Sequence, residues 1–300
     1  MKIAHIINPV KVGENSDLFN AQPITFESMR VAKNFSLHKD NIILCTTQFK
    51  EDLSIIPDYF KILTNLERSV LDINPNFKGK KLPLIKDILE KLKEIADADY
   101  YIYTNADISL MPQFYDLVYK YILSDYDAIV INRRRLNKKY FTIEELPIMY
   151  SDLGKSHPGF DCFVFHKDLL NKLILGDICI GVPFIEATLV HNLFSFAKKP
   201  ILISDAHITF HIGMEVLGST KNAFYHHNRK EFFKKIQPQI KQYFSIEKFP
   251  YGTLPVYKRM IKWVLNPSLF TANYLNLEGK NIVQRIKIYA DEIRWRVLQR

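Results

Sequence analysis

Asn105 and Asp107 close a tyrosine-rich apolar run within the segment DADYYIYTNADISL. Their spacing of two lets a carboxylate and an amide oxygen reach the same side of an extended turn, and such a pair suits a hard divalent cation such as Mg2+ or Mn2+. The same residue types also close strands as Asx turns without any ligand. In SHPGFDCFVFHKDLL, Pro158 and Gly159 mark a turn that places His157 and Asp161 at the entry of an apolar strand. Asp161 is flanked by Phe160, Cys162 and Phe163, and a carboxylate there is costly to bury without partners, which favours a functional or paired role. In GDICIGVPFIEATLVHNLF, Gly181 and Pro183 introduce a helix with Glu186 in its first turn, where the helix dipole favours a carboxylate. His207 and His211 stand four apart in ISDAHITFHIGM, on one face only if that strand is regular. Asn8 and Pro9 end the first apolar run, and Arg68, Asp72 and Lys81 are candidates for ribose or diphosphate contact. Arg133, Arg134 and Arg135 follow a strand, where an arginine can clamp phosphate through two parallel hydrogen bonds; a run of charges is otherwise a solvated face.

These residues need elements that bring them together. Through the first half, apolar runs of strand length alternate with segments of helical period, the pattern of an α/β fold with a largely parallel sheet. Strands are expected at residues 2–8, 41–47, 99–104, 127–132, 160–165 and 201–203. The clearest helix follows Pro83, which suits a first turn, with Ile85, Ile88, Leu89, Leu92 and Ile95 at spacings of three and four. Further helices are expected at 24–35, 112–123, 167–174 and 184–196, then at 229–244, 256–265 and 280–298, while residues 50–76 show no readable pattern. Ligands of open α/β sheets bind beyond the carboxyl ends of strands, where Asn105 and Asp107 fall.

A β-strand start, an amphipathic helix and a strand ending in an Asp-x-Asp type motif resemble the nucleotide-binding half of GT-A fold glycosyltransferases, over roughly residues 1–215. Here the motif reads Asn105, Ala106, Asp107, so an amide replaces its first acidic residue and Asp107 is left as the principal metal ligand. The resemblance implies a Rossmann-type mixed, mostly parallel sheet flanked by helices, with a basic helical C-terminal extension. It implies a nucleotide-diphosphate sugar as donor, for which Asn8, Pro9, Arg68, Lys81, Asn105 and Asp107 are the binding candidates. Mn2+ or Mg2+ would be held by Asp107 and His211, with Asn105, and neutral imidazole suits Mn2+. His157, Gly159, Asp161 and Arg134 are the sugar and acceptor candidates. Glu186, at a helix start, is the expected base that deprotonates the acceptor hydroxyl, with Asp161 in reserve. The expected reaction is a metal-dependent, inverting transfer to a saccharide or lipid-linked acceptor in cell-surface polysaccharide synthesis. Retaining chemistry stays open. So do a nucleotidyltransferase, which would carry a glycine-rich basic loop near the first strand where this chain has only Gly13, and a non-catalytic module that binds nucleotide sugars or glycans.

The 300 residues, 47% hydrophobic and 24% charged, are those of a folded chain with one elaborated domain or two small ones. No apolar run approaches the roughly 18 to 20 residues of a membrane-spanning helix. MKIAHIINPV lacks the basic stretch and longer apolar core of a signal peptide, so the mature chain is expected to begin at Met1 and to stay in the cytoplasm. Cys45, Cys162 and Cys179 have no zinc spacing and are expected as buried thiols. The net charge of +9 divides unevenly: residues 1–220 carry 25 Lys and Arg against 27 Asp and Glu, and residues 221–300 carry 16 against 5. A catalytic body at 1–220 and a basic, aromatic helical region at 221–300 are therefore expected. In the latter, Tyr251, Tyr257, Trp263, Tyr274, Tyr289 and Trp295 interleave with Lys258, Arg259, Lys262, Arg285, Lys287, Arg294 and Arg296. That composition suits an interfacial helix on the anionic inner face of the cell membrane, and equally a pair of packed helices with a solvated basic face. No nucleic-acid recognition motif accompanies it.

Overall fold

Short β-branched and aromatic runs build the sheet. The computed structural model describes residues 1–74, 76–136, 140–204, 206–212 and 223–270. Its strands are β1 (Ile3–Ile7), β2 (Ile42–Thr46), β3 (Lys61–Ile62), β4 (Tyr100–Thr104), β5 (Ile108–Leu110), β6 (Ala128–Arg135), β7 (Lys155–His166), β8 (Pro200–Ile203) and β9 (Thr209–His211). They form one mixed sheet in the order β3-β2-β1-β4-β7-β6-β9-β5, with β8 paired to β6. Among the described residues, five of the eight strand pairings are parallel and the three of β4–β7, β6–β7 and β5–β9 are antiparallel. The mixed, mostly parallel α/β sheet expected from the sequence is therefore present.

Successive strand residues point to opposite faces, and here both faces are covered. Ile3, Ile7, Ile102, Ile129 and Val164 share a core with Met29 of α1 (Asp17–Phe35). On the opposite face Ala4, Ile6, Tyr103, Val130 and Phe163 pack with other helices. Between them in sequence come α2 (Val70–Ile73) and then α3 (Ile85–Glu90), whose Ile85, Ile88 and Leu89 enter the second core. Phe114 and Val118 of α4 (Phe114–Ile122) join the first core. After α5 (Leu146–Ser151) and α6 (Lys167–Leu170), α7 (Ile185–Phe196) adds Leu189 and Leu193 to the second.

Several boundaries differ from the sequence reading for identifiable reasons. α1 begins at Asp17 and runs through Pro23, because Ser16 caps it and Gln22 exchanges two 2.8 Å hydrogen bonds with the Val10 backbone, holding the first turns in place. Pro83 lies outside α3, in an isolated bridge to Ser69. β7 starts at Lys155 rather than Phe160, since Ser156 and Lys155 continue the ladder with Arg134 and Arg135 across two register shifts. The stretch 50–76 contains a 3-10 helix at Lys50–Ile55, β3 and α2.

Residues 223–270 pack on the rest of the chain. α8 (Ala223–Glu231) passes through a π turn at Phe232–Ile236 into α9 (Gln237–Ile240), and α10 (Val256–Leu265) is followed by α11 (Pro267–Phe270). Phe232, Ile236, Ile240, Phe249, Trp263 and Leu269 lie in the same core as Phe163, Leu189 and Leu193. Trp263, expected among the interfacial aromatics, is instead 1% exposed: its indole N–H donates to Pro250 O at 2.7 Å and its ring meets Phe249 edge-on. Tyr274, Tyr289, Trp295, Arg285, Lys287, Arg294, Arg296 and the helix expected at 280–298 lie outside the described residues. Cys45, Cys162 and Cys179 are buried free thiols, as expected. Among the described residues no helix is long and apolar enough to cross a membrane. Trp263→Ala is expected to lower unfolding free energy by about 3–5 kcal/mol, the usual cost of emptying an aromatic core site. Urea denaturation followed by far-UV circular dichroism checks this, with the loss expected in one transition for the whole fold.

Candidate active site at the carboxyl edge of the sheet

β1, β2, β4 and β6 run in the same direction, β6 being related to β4 through the antiparallel β7. Their carboxyl ends share one edge. Asn8 follows β1, and Asn105 and Asp107 follow β4. Cys162 pairs with Thr104, which brings Asp161 beside them. The antiparallel β5–β9 register sets His211 opposite Ile108, next to Asp107. Glu186 enters from the first turn of α7.

The centre is polar and partly buried. The Tyr103 hydroxyl donates to Asn105 Oδ1 at 2.9 Å, and Asn105 Nδ2 donates to Asp161 Oδ1 at 3.1 Å. The other Asp161 oxygen is ion-paired with Arg133, the two side chains being 3% and 8% exposed. Burial, with the charges of Asp107 and Asp161, raises the Tyr103 phenol far above its ordinary value, so it acts as a neutral donor. His211 Nε2 lies 3.1 Å from Asp107 Oδ2. Burial pushes the Asp107 carboxyl up, but the His211 hydrogen bond and the charges of His211 and Arg133 outweigh it and hold the group below its usual range.

Glu186 is held separately. Its Oε2 accepts from Phe160 N at 3.2 Å and from the Ser268 hydroxyl at 2.5 Å. Burial and then the Asp161 charge lift its carboxyl, against the opposing pull of Arg133, to about 7. The helix carrying it starts from Phe184 at φ +86, a left-handed conformation that costs a non-glycine residue of order 1–3 kcal/mol. Gly159 leaves room beside the carboxylate: a Cβ there would stand 2.9 Å from the His157 ring and 3.2 Å from Glu186 Oε1. Its amide donates to His157 Nδ1 at 2.9 Å.

Other sequence candidates have local partners. Asn8 Nδ2 donates to Thr47 O at 2.6 Å. Arg68 pairs with Asp87 at 2.7 Å, Lys81 pairs with Glu51 at 2.9 Å and sits over the Phe49 ring, and Asp72 closes a capping box with Ser69. Arg134 donates to the carbonyls of Leu153 and Gly154. His207 takes φ +48 outside β9, so it does not share a regular strand face with His211. Tyr103 and Ser268 were not read as site residues from the sequence, and Arg133 was named there only with Arg134 and Arg135 as a phosphate clamp. Alternation within β6 would have separated Arg133 from Arg134 only with the register shifts on either side of Asn132 known, and nothing in the sequence around Ser268 marks it.

A carboxylate oxygen of Asp107 and an imidazole nitrogen of His211 meet at a strand edge, a donor set that could hold a divalent transition-metal ion such as Mn2+. Among the described residues no group of three or more His, Cys, Asp and Glu forms a cation cage.

No protein-family profile and no curated protein sequence matches this chain. Among solved structures, the chain is similar to Staphylococcus aureus TarS 1-349, with 15% identity over 98% of this chain and 81% of that one, at a TM-score of 0.49. It is similar to the same protein in complex with UDP-GlcNAc, with 14% identity over 95% and 78% of the two chains, at 0.49. The mannosyltransferase PcManGT from Pyrobaculum calidifontis in complex with GDP-Man and Mn2+ is similar with 13% identity over 99% and 83%, at 0.47.

Two stability effects follow from the site. With its carboxyl raised to about 7 from 4.5, folded Glu186 keeps a proton that the unfolded chain releases, so stability falls as pH rises between those values and is level above them. Glu186→Gln is therefore expected to be more stable than the parent at pH 8 by roughly 3 kcal/mol, the gap closing by pH 4, as read from urea midpoints. Asp161→Ala leaves the Arg133 guanidinium without its carboxylate and is expected to cost about 3–5 kcal/mol in the same measurement.

Proposed function

We propose that this chain is a glycosyltransferase that moves a sugar from a nucleotide-diphosphate donor to an acceptor hydroxyl by inverting displacement. The observation that carries the reading is Glu186: a carboxyl poised near neutral pH and oriented by two donors, on the same sheet edge as the Asp107–His211 pair. A general base works best with its pKa near the working pH. Glu186 takes the proton of the acceptor hydroxyl while that oxygen bonds to the anomeric carbon, and the bond from that carbon to the diphosphate oxygen breaks as the nucleoside diphosphate departs. Mn2+ or Mg2+, when held by Asp107 and His211, neutralises charge on the diphosphate. The buried Arg133, paired with Asp161, favours the ionised forms of Asp107 and Glu186.

The reading of the acceptor class is supported by α10. Tyr257, Ile261, Val264 and Leu265 recur at i, i+4, i+7 and i+8 and are exposed or partly so, with Lys258 and Lys262 along one border. This stripe supports contact with an anionic bilayer, and thus a lipid-linked or cell-surface glycan acceptor on the inner face of the membrane.

UDP-GlcNAc and GDP-Man, with Mn2+, are the first donors to assay, followed by other nucleotide sugars, using thermal stabilisation and transfer as readouts. Glu186→Gln is expected to lose about 10²–10⁴-fold in turnover with donor stabilisation retained, and the parent rate to climb as pH rises through about 7. Asp107→Ala is expected to lose Mn2+-dependent donor stabilisation. Turnover unaffected in both variants would sink the transferase reading. Full-length protein should co-sediment with vesicles rich in phosphatidylglycerol, and Ile261→Glu with Leu265→Glu should abolish it; equal sedimentation would refute the α10 contact.

A further inference from the structure

The Glu186 carboxylate is held partly by a segment far along the chain. Asn266 ends α10, and its side chain donates to Pro158 O at 2.7 Å while its Oδ1 accepts from Ser268 N at 3.0 Å and Leu269 N at 3.3 Å. Ser268 then donates to Glu186 Oε2, which also accepts from Phe160 N. These bonds close a ring: from Glu186 to Phe160 within β7, back through Pro158 to Asn266, along the backbone to Ser268 and back to Glu186. Trp263 on one side and Leu269 on the other, 1% and 0% exposed, fasten the segment into the core. With Oε2 accepting from both donors, Oε1 lies toward Gly159, beside the His157 ring.

We propose that Ser268 is a positioning residue for Glu186 and that the Asn266–Phe270 turn is a wall of the active site, fixing Oε2 so that Oε1 is the atom that receives the acceptor proton. This rests on the base role of Glu186 given above. A serine hydroxyl at this position stabilises the ionised carboxylate, because it donates to an atom that carries more negative charge in that state. The other groups facing Glu186 are Asp161, which opposes ionisation, Arg133, which favours it, and the His157 ring beside Gly159.

The test uses the full chain labelled with 13C at glutamate side-chain carboxyls, without donor or acceptor, and follows Glu186 by NMR against pH. Glu186→Gln assigns the resonance by deleting it. The parent should titrate at about 7. Ser268→Ala should raise that midpoint by roughly one unit, and Ser268→Thr, which keeps the hydroxyl, should return it to within a few tenths. In a transfer assay the acid limb of the rate should move by the same amount in Ser268→Ala, with KM for the donor unchanged. If alanine prevents folding, Ser268→Cys replaces it, its thiol being a weak donor. A midpoint unmoved by losing the hydroxyl overturns the proposal. Because the titration needs no turnover, it is separable from the function itself: an active Glu186→Gln removes the base role and leaves the measured Ser268 coupling standing.

Discussion

The buried Arg133–Asp161 ion pair is the interaction on which the site depends. Asp107, Asp161 and Glu186 stand on one edge, and the Asp161 charge opposes ionisation of Glu186. Arg133 neutralises Asp161 directly, and its charge also reaches Asp107 and Glu186, lowering both. Asp161 in turn holds the Asn105 amide. Desolvation can cancel the attraction of such a pair, so its place here is better explained by what it does to its neighbours than by stability. At Asp107 the Arg133 charge adds to the larger pull of His211 and the carboxyl is held low, whereas at Glu186 burial and the Asp161 charge outweigh it and the carboxyl stays high. Two carboxyls on one edge thus differ because their nearest neighbours do.

Much of the scaffold was legible in the sequence because burial on both sheet faces leaves continuous apolar runs: β1, β2 and β4 are read within a residue or so at each end, and α10 at both ends. What failed were features set by tertiary contacts. β3 and β5 are two and three residues long and exist only through their partners. The early start of α1 depends on Gln22 bonding a loop, against the local message of Pro23. At the site, Asn105, Asp107, Asp161, Glu186 and His211 stand out by type and setting, and the fold gathers them. Arg133 was hidden because a strand irregularity decides which of three adjacent arginines turns inward.

The basic C-terminal region teaches a related lesson. Aromatic and cationic residues in alternation describe a helix that lies on lipid and a helix packed on protein equally well, since long cationic side chains border apolar surface in both. α10 has one packed side and one open side: Trp263 is sunk into the core while Tyr257, Ile261 and Leu265 are exposed.

The 82 residues that separate Glu186 from Ser268 also bear on synthesis. A chain leaving the ribosome from its N-terminus can form β1 to β9 and seat α7 before the turn at Asn266 exists. Such a nascent protein has its strands and its carboxylates but not the wall that orients the last of them. The Glu186 carboxylate would then wait on Ser268 for its second donor, and the core on Trp263 and Leu269 for two of its fully buried side chains.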